Sequence, residues 1–109
     1  PLIEHIDAVN NLDKILIEKK IDTILIGPYD LSGSLGKSGD FKNKKFINSL
    51  KKIDIICKKR KIIKGIHLPK LDHQNFNSFV KNNFRFIAYG MDTQFLVKSI
   101  KESFKKILK

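Results

Sequence analysis

The chain has 109 residues, of which 41% are hydrophobic, and a formal net charge of +11. This length suits one small domain, and the sequence contains no apolar run of about 18 residues that would cross a membrane. Only Arg60 and Arg85 among the 22 basic residues are arginines, which argues against a specific nucleic-acid partner because base and phosphate recognition favours the guanidinium group.

The first part of the chain is predicted to contain two strands, a helix and a long loop. Residues 2–4 have the pattern of a strand end, and apolar residues at three- and four-residue steps predict a helix over 8–20. The apolar run within 23–26 predicts a strand covered on both faces. Residues 29–43 are rich in glycine, serine and lysine and predict a loop, and a long loop after a strand suggests a functional role.

The second part of the chain repeats this alternation. Helices are predicted over 44–59, around 76–80 and over 93–108, and strands over 62–67 and 85–90. Cys57 falls on the apolar side of its helix and predicts a buried, inert thiol. A single cysteine forms no intrachain disulfide, and we expect a cytoplasmic protein.

Strict alternation of strand and helix with short connections predicts an α/β fold with parallel strands covered by helices. Such a chain forms either a small open sheet or one half of a (β/α)8 TIM barrel. The barrel is favoured because Glu4, Asp30, His67 and Asp92 each follow a predicted strand, and strand ends converge on one face of a barrel. No glycine-rich phosphate turn follows the first strand, as an open dinucleotide-binding sheet would require.

Glu4 and Asp30 form a candidate pair of carboxylates. Acids at neighbouring strand ends can share a divalent cation, since Mg2+ and Mn2+ need only one or two protein carboxylates. Spacing alone leaves other roles open, with Glu4 as a surface acid and Asp30 as a turn or helix cap. His67 either lines the mouth of the site or is a structural residue at its rim.

Five blocks of the sequence, in order, resemble the HpcH/HpaI family of class II pyruvate aldolases. The turn Gly27-Pro28-Tyr29-Asp30 lies in the longest of them, and the blocks cover residues 3–4, 8–13, 26–36, 65–67 and 84–93. The resemblance implies that residues 1–109 supply the last four βα units, the C-terminal half, of a (β/α)8 barrel.

The resemblance also implies the chemistry. Glu4 and Asp30 would be ligands of Mg2+, Mn2+ or Co2+, and the amides of Tyr29 and Asp30 would hold the carboxylate of a 2-keto acid. Gly27 and Pro28 complete this substrate-binding turn, and His67 would line the aldehyde side. The implied reaction forms or cleaves a carbon–carbon bond between pyruvate, as its metal-stabilised enolate, and an aldehyde; the substrate would be a 2-keto-3-deoxy or 4-hydroxy-2-oxo acid.

The family's essential arginine and histidine belong to the half of the barrel that precedes this chain. The resemblance therefore implies no catalytic residue in this half, and we expect the chain to be inactive alone. The alternative is a non-catalytic half-barrel that assembles with itself or with a partner. In the family the last helix packs on a neighbouring subunit, so a homo-oligomer is expected.

Overall fold

A computed structural model describes residues 1–18, 20–71 and 73–108. Its centre is a sheet of four parallel strands that lie side by side in chain order. The strands are β1 (Leu2–Ile3), β2 (Thr23–Ile26), β3 (Ile63–Leu68) and β4 (Phe86–Tyr89). The predicted parallel α/β architecture is confirmed.

Helices connect consecutive strands, and one more follows the last strand. They are α1 (Ile6–Asn10), α2 (Leu12–Ile15), α3 (Pro28–Ser34), α4 (Lys44–Arg60), α5 (His73–Lys81) and α6 (Asp92–Ile107). None of those in the described part of the chain is long and apolar enough to span a membrane.

The prediction of one helix over residues 8–20 is wrong, because the chain forms the two short helices α1 and α2 there. The first of these starts earlier, because the ring nitrogen Nδ1 of His5 accepts a hydrogen bond from the amide of Asp7 (3.2 Å) and caps α1. At Asn11 the chain breaks between α1 and α2, and α2 ends at Ile15. Residue 19 lies outside the described residues.

The loop predicted over residues 29–43 is also wrong in its first part, where the chain forms α3. Pro28 occupies the first turn of this helix, where its fixed φ and missing N–H are tolerated. The hydroxyls of Ser32 and Ser34 donate to carbonyls three residues earlier, those of Tyr29 (2.9 Å) and Leu31 (2.7 Å). These serine bonds stay within α3, so the glycine- and serine-rich stretch forms a short helix despite the loop preference of its residues.

The core lies between one face of the sheet and helices α1 to α4, which hold the buried helix residues. Alternate strand residues point into it, and its largest fully buried members are Ile3, Ile24, Ile26, Ile66, Leu12, Leu31 and Ile53. Cys57 is buried in α4 as predicted, and burial raises the pKa of its thiol to about 11.

The opposite face of the sheet is open. Leu2 is 50% exposed, and Ile63 and Phe86 are each 47% exposed. In a closed barrel this face would line the interior, where side chains of all the strands pack together in layers. The chain therefore presents an uncovered inner face, with its polar residues along one edge.

Candidate active site

Glu4, Gly27 and His67 lie side by side at the carboxyl edge of the sheet. Ile3 pairs with Ile26, which pairs with Ile66, and the three residues of the row come one position later in each strand. Because neighbouring residues of a strand point to opposite faces, this row faces the open inner side. Three of the predicted site residues are thus neighbours.

The side chain of Glu4 lies over Gly27. A Cβ atom built on Gly27 would stand 2.9 Å from Cγ and 3.1 Å from Oε1 of Glu4. The carboxylate therefore occupies the space that a side chain at residue 27 would fill.

Asp30 lies three residues beyond Gly27, in the first turn of α3, and it is exposed. The far end of this helix is tied to the segment that follows Glu4, because the amide of Ile6 donates to the Ser34 hydroxyl at 3.0 Å. No pattern in the sequence predicts this link. The bond holds the segment after Glu4 against α3, the helix that contains Asp30.

The residues after α3 fold back and hold Tyr29. The hydroxyl of Ser38 donates to the carbonyl of Tyr29 at 3.0 Å, a carbonyl that Ser32 also contacts. The ring of Phe41 packs edge-on against the tyrosine ring, with centroids 5.0 Å apart. The segment 35–43 thus contacts Tyr29 of the predicted substrate-binding turn through Ser38 and Phe41.

His67 is oriented by the backbone after β4. Its Nε2 lies 3.3 Å from the carbonyl oxygen of Gly90, and a carbonyl can only accept a hydrogen bond. In this bond Nε2 is therefore the donor, and Nδ1 is the ring nitrogen that remains for another partner. Gly90 has φ of +76°, and this left-handed conformation favours glycine.

Asp92 begins α6, beyond the row of Glu4, Gly27 and His67. Its Oδ1 accepts a hydrogen bond from the amide of Thr93 (2.7 Å), and its side chain is exposed. It belongs to the first turn of the helix, where an acid complements the helix dipole.

The donor set at this edge is small. The described ranges 1–18, 20–71 and 73–108 hold no group of three or more His, Cys, Asp or Glu side chains suited to a metal ion. What the edge offers is two carboxylates, an imidazole nitrogen and the amides of a helix's first turn. These groups suit a hard cation whose other ligands are water and an oxygen-rich substrate.

Two cavities lie away from this row. One of about 630 Å3 runs between α4 and α5 past Lys64 and Phe84, and one of about 160 Å3 lies beside the rings of Tyr29, Phe41 and Phe46. Neither is lined by Glu4 or His67, but Pro28 and Tyr29 of the predicted substrate-binding turn line the smaller one. The row itself stands on the open inner face, which the rest of a barrel would enclose.

The family described as HpcH/HpaI aldolase/citrate lyase has a sequence model that matches residues 2–99. A hydroxypyruvate/pyruvate aldolase from Pseudomonas aeruginosa is 27% identical over 100 residues, which are 92% of this chain and 37% of that protein. The chain thus spans little more than a third of this relative's length.

Solved structures show the same fold. An HpcH/HpaI aldolase from Desulfitobacterium hafniense superposes with a TM-score of 0.84 at 25% identity, over 97% of this chain and 40% of the other. An HpcH/HpaI aldolase/citrate lyase family protein from Burkholderia cenocepacia gives a TM-score of 0.86 at 18% identity, over 99% and 41%. The four βα units therefore match part of a larger barrel.

Proposed function

The chain belongs to the HpcH/HpaI aldolase/citrate lyase family, and on that premise we propose that it is the pyruvate-binding part of a metal-dependent aldolase. The reaction joins or separates pyruvate and an aldehyde, and the substrate is a 2-keto-3-deoxy or 4-hydroxy-2-oxo acid. Relatives named as aldolases support this proposal. Because the chain spans only 37% of one such relative, we assign residues 1–109 to the last four βα units and expect no activity from them alone.

The proposed ligands of the divalent cation, Mg2+, Mn2+ or Co2+, are Glu4 and Asp30. Hard cations of this kind bind through one or two carboxylates and fill their coordination with water and substrate oxygens. The acids follow neighbouring strands, and Gly27, which has no side chain of its own, leaves room for the side chain of Glu4; both observations support the assignment. A cation held by Glu4 and Asp30 would supply Lewis acidity, which would polarise a keto oxygen and make the neighbouring methyl protons more acidic.

The turn of Gly27, Pro28, Tyr29 and Asp30 is the proposed cradle for the substrate carboxylate. The first turn of a helix leaves N–H groups without helical acceptors, and here Tyr29 and Asp30 supply them, because Pro28 has none. The contacts that brace Tyr29 hold these amides in place. His67 offers Nδ1 to a hydroxyl on the aldehyde side.

The observation that carries the proposal is the row of Glu4, Gly27 and His67 at one sheet edge, with Asp30 one helical turn beyond.

The location that we propose is the cytoplasm, whose reducing conditions suit the single buried Cys57.

Replacing both acids by amides tests the metal site. We expect Glu4→Gln with Asp30→Asn to weaken Mn2+ binding by about tenfold or more, because an amide oxygen carries no net charge to offset that of the cation. The measurement is the free Mn2+ electron paramagnetic resonance signal during titration of the chain, with oxalate then added as a pyruvate analogue.

The matched control is Glu18→Gln with Asp22→Asn. These acids are exposed near the opposite edge of the sheet, so the control makes the same change in net charge far from the site. We expect it to bind Mn2+ like the unmodified chain. Equal binding by both double variants would contradict the assignment, as would an unmodified chain that binds no Mn2+.

We further propose that the chain assembles, with itself or with the remainder of a barrel. Every residue of α6 is exposed, although one side of this helix is strongly apolar. That side comprises Phe95, Leu96, Ile100, Phe104 and Ile107. An exposed apolar surface of this kind marks an interaction site, and the open inner face of the sheet adds a second one. The two forms of this assembly are a homo-oligomer and a non-catalytic half-barrel joined to a partner.

Sedimentation of the chain tests this assembly. We expect a species heavier than the 12.6 kDa monomer, and we expect Ile100→Gln with Phe104→Gln to shift it toward the monomer because the substitutions remove apolar area from α6. Lys101→Gln with Lys105→Gln changes the polar side of the same helix and serves as the control. A stable monomer of the unmodified chain would refute assembly of the chain with itself.

A further inference from the structure

Gly27 has no backbone reason to be glycine. Its φ is −94° and its ψ is 92°, an extended conformation that residues with side chains adopt freely. A left-handed turn, the usual explanation for a glycine beside a ligand site, does not apply here. The cause must lie in what surrounds the α-carbon.

The surroundings of Gly27 point to one neighbour. The three atoms nearest to a Cβ built on this residue all belong to Glu4: Cγ at 2.9 Å, Oε1 at 3.1 Å and the carboxyl carbon at 3.5 Å. A contact under 3.0 Å between carbon atoms forces one of them to move. The Glu4 side chain is flexible, so it would move at small cost and take its carboxylate with it.

We propose that Gly27 is a positioning residue, whose missing side chain lets the Glu4 side chain lie over its α-carbon, beside the end of β2. This inference rests on the proposed function for its consequence, since a displaced Glu4 would leave Asp30 as the only acid in place. The backbone of β2 and the fold do not depend on it. Gly27 therefore acts through Glu4 and not through stability.

Gly27→Ala tests the inference, with Gly33→Ala as its matched control. A Cβ at Gly33, within α3, would meet Ser38 at an ordinary 3.6 Å. We expect Gly27→Ala to weaken Mn2+ binding by about tenfold while its thermal unfolding midpoint stays near that of the unmodified chain. Gly33→Ala should leave Mn2+ binding unchanged.

A double-mutant cycle separates positioning from a general structural effect. In a Glu4→Gln background, Gly27→Ala should cause no further loss of Mn2+ affinity, because the residue through which it acts is already disabled. A crystal structure of Gly27→Ala should show Glu4 Cγ displaced by at least 0.5 Å, the shift from 2.9 Å to an ordinary contact of 3.4 Å.

The outcomes distinguish this inference from the proposed function. An unmodified chain that binds no Mn2+ contradicts the proposed function, and the position of Glu4 in the Gly27→Ala crystal then decides the inference by itself. A carboxylate that stays in place overturns it. So does an Mn2+ affinity of Gly27→Ala equal to that of the unmodified chain, or an equal loss in the two backgrounds of the cycle.

Discussion

Gly65→Ala is expected to destabilise the chain by about 3 kcal/mol, at the upper end of what overpacking usually costs. Gly65 lies in the middle of the sheet, between β2 and β4. A Cβ there would stand 2.7 Å from the carbonyl oxygen of Phe86 and 2.9 Å from that of Ile24. Both are backbone atoms of hydrogen-bonded strands, so relief of the clash must separate strands on both sides.

The ring of Phe86 adds to this cost. Its Cδ1 would lie 2.8 Å from the new Cβ, because the ring lies over β3 on the open face. We would measure the free energy of unfolding in urea, with Gly33→Ala as the control. Gly33 is in a helix with room for a methyl group, and alanine there should leave stability unchanged or raise it by about 0.5–1 kcal/mol. Equal stability of the two variants would contradict the prediction.

Local sequence was sufficient to predict the strands and most helices. The apolar run of β2, and the apolar spacing of α4 and α6, are visible within a few residues of sequence. Predicted boundaries for these three elements agree with the structure to within one residue. α3 was missed because its sequence is rich in serine and glycine, and these residues more often mark a loop.

The candidate site shows a different limit. Its acids follow from the resemblance of the Gly27-to-Asp30 turn and of Glu4 to a known family. The contact between Glu4 and Gly27 depends on the register of β1 against β2, and the bond from His67 to Gly90 on that of β3 against β4. Neither register can be read from one strand. The roles of these residues stay predictions until binding is measured.

A buried charge provides the second large effect. Lys64 alternates with Ile66 in β3 and points into the core, where its side chain is only 9% exposed. The ammonium group bonds to Asp54 of α4 and lies 4.4 Å from the centre of the Phe84 ring. The second oxygen of Asp54 pairs with Lys58 at 2.7 Å. The carboxylate of Asp54 thus offsets the cost of burying the positive charge of Lys64.

Asp54→Ala is expected to cost about 2–3 kcal/mol of stability, because it leaves the Lys64 charge buried without its partner. Asp54 is itself 26% exposed, so the cost stays below that of a fully buried pair. Adding Lys64→Met should recover most of the loss, since no charge then remains in the core. Asp13→Ala, which breaks exposed ion pairs with Arg60 and Lys59, should have a smaller effect.

Acid should reproduce this loss in the unmodified chain. Hydrogen bonds from Lys58 and then Lys64 hold the pKa of the Asp54 carboxyl below its usual value in the folded chain. A lowered folded pKa contributes stability that is complete above the unfolded value, about 3.9, and is lost as the pH falls through the folded one. Urea unfolding between about pH 6 and pH 3 should therefore show a shallower decline for Asp54→Asn than for the unmodified chain. Parallel declines would mean that the pKa of Asp54 is the same in the folded and unfolded chain. The charge of Asp54 would then not stabilise the buried Lys64.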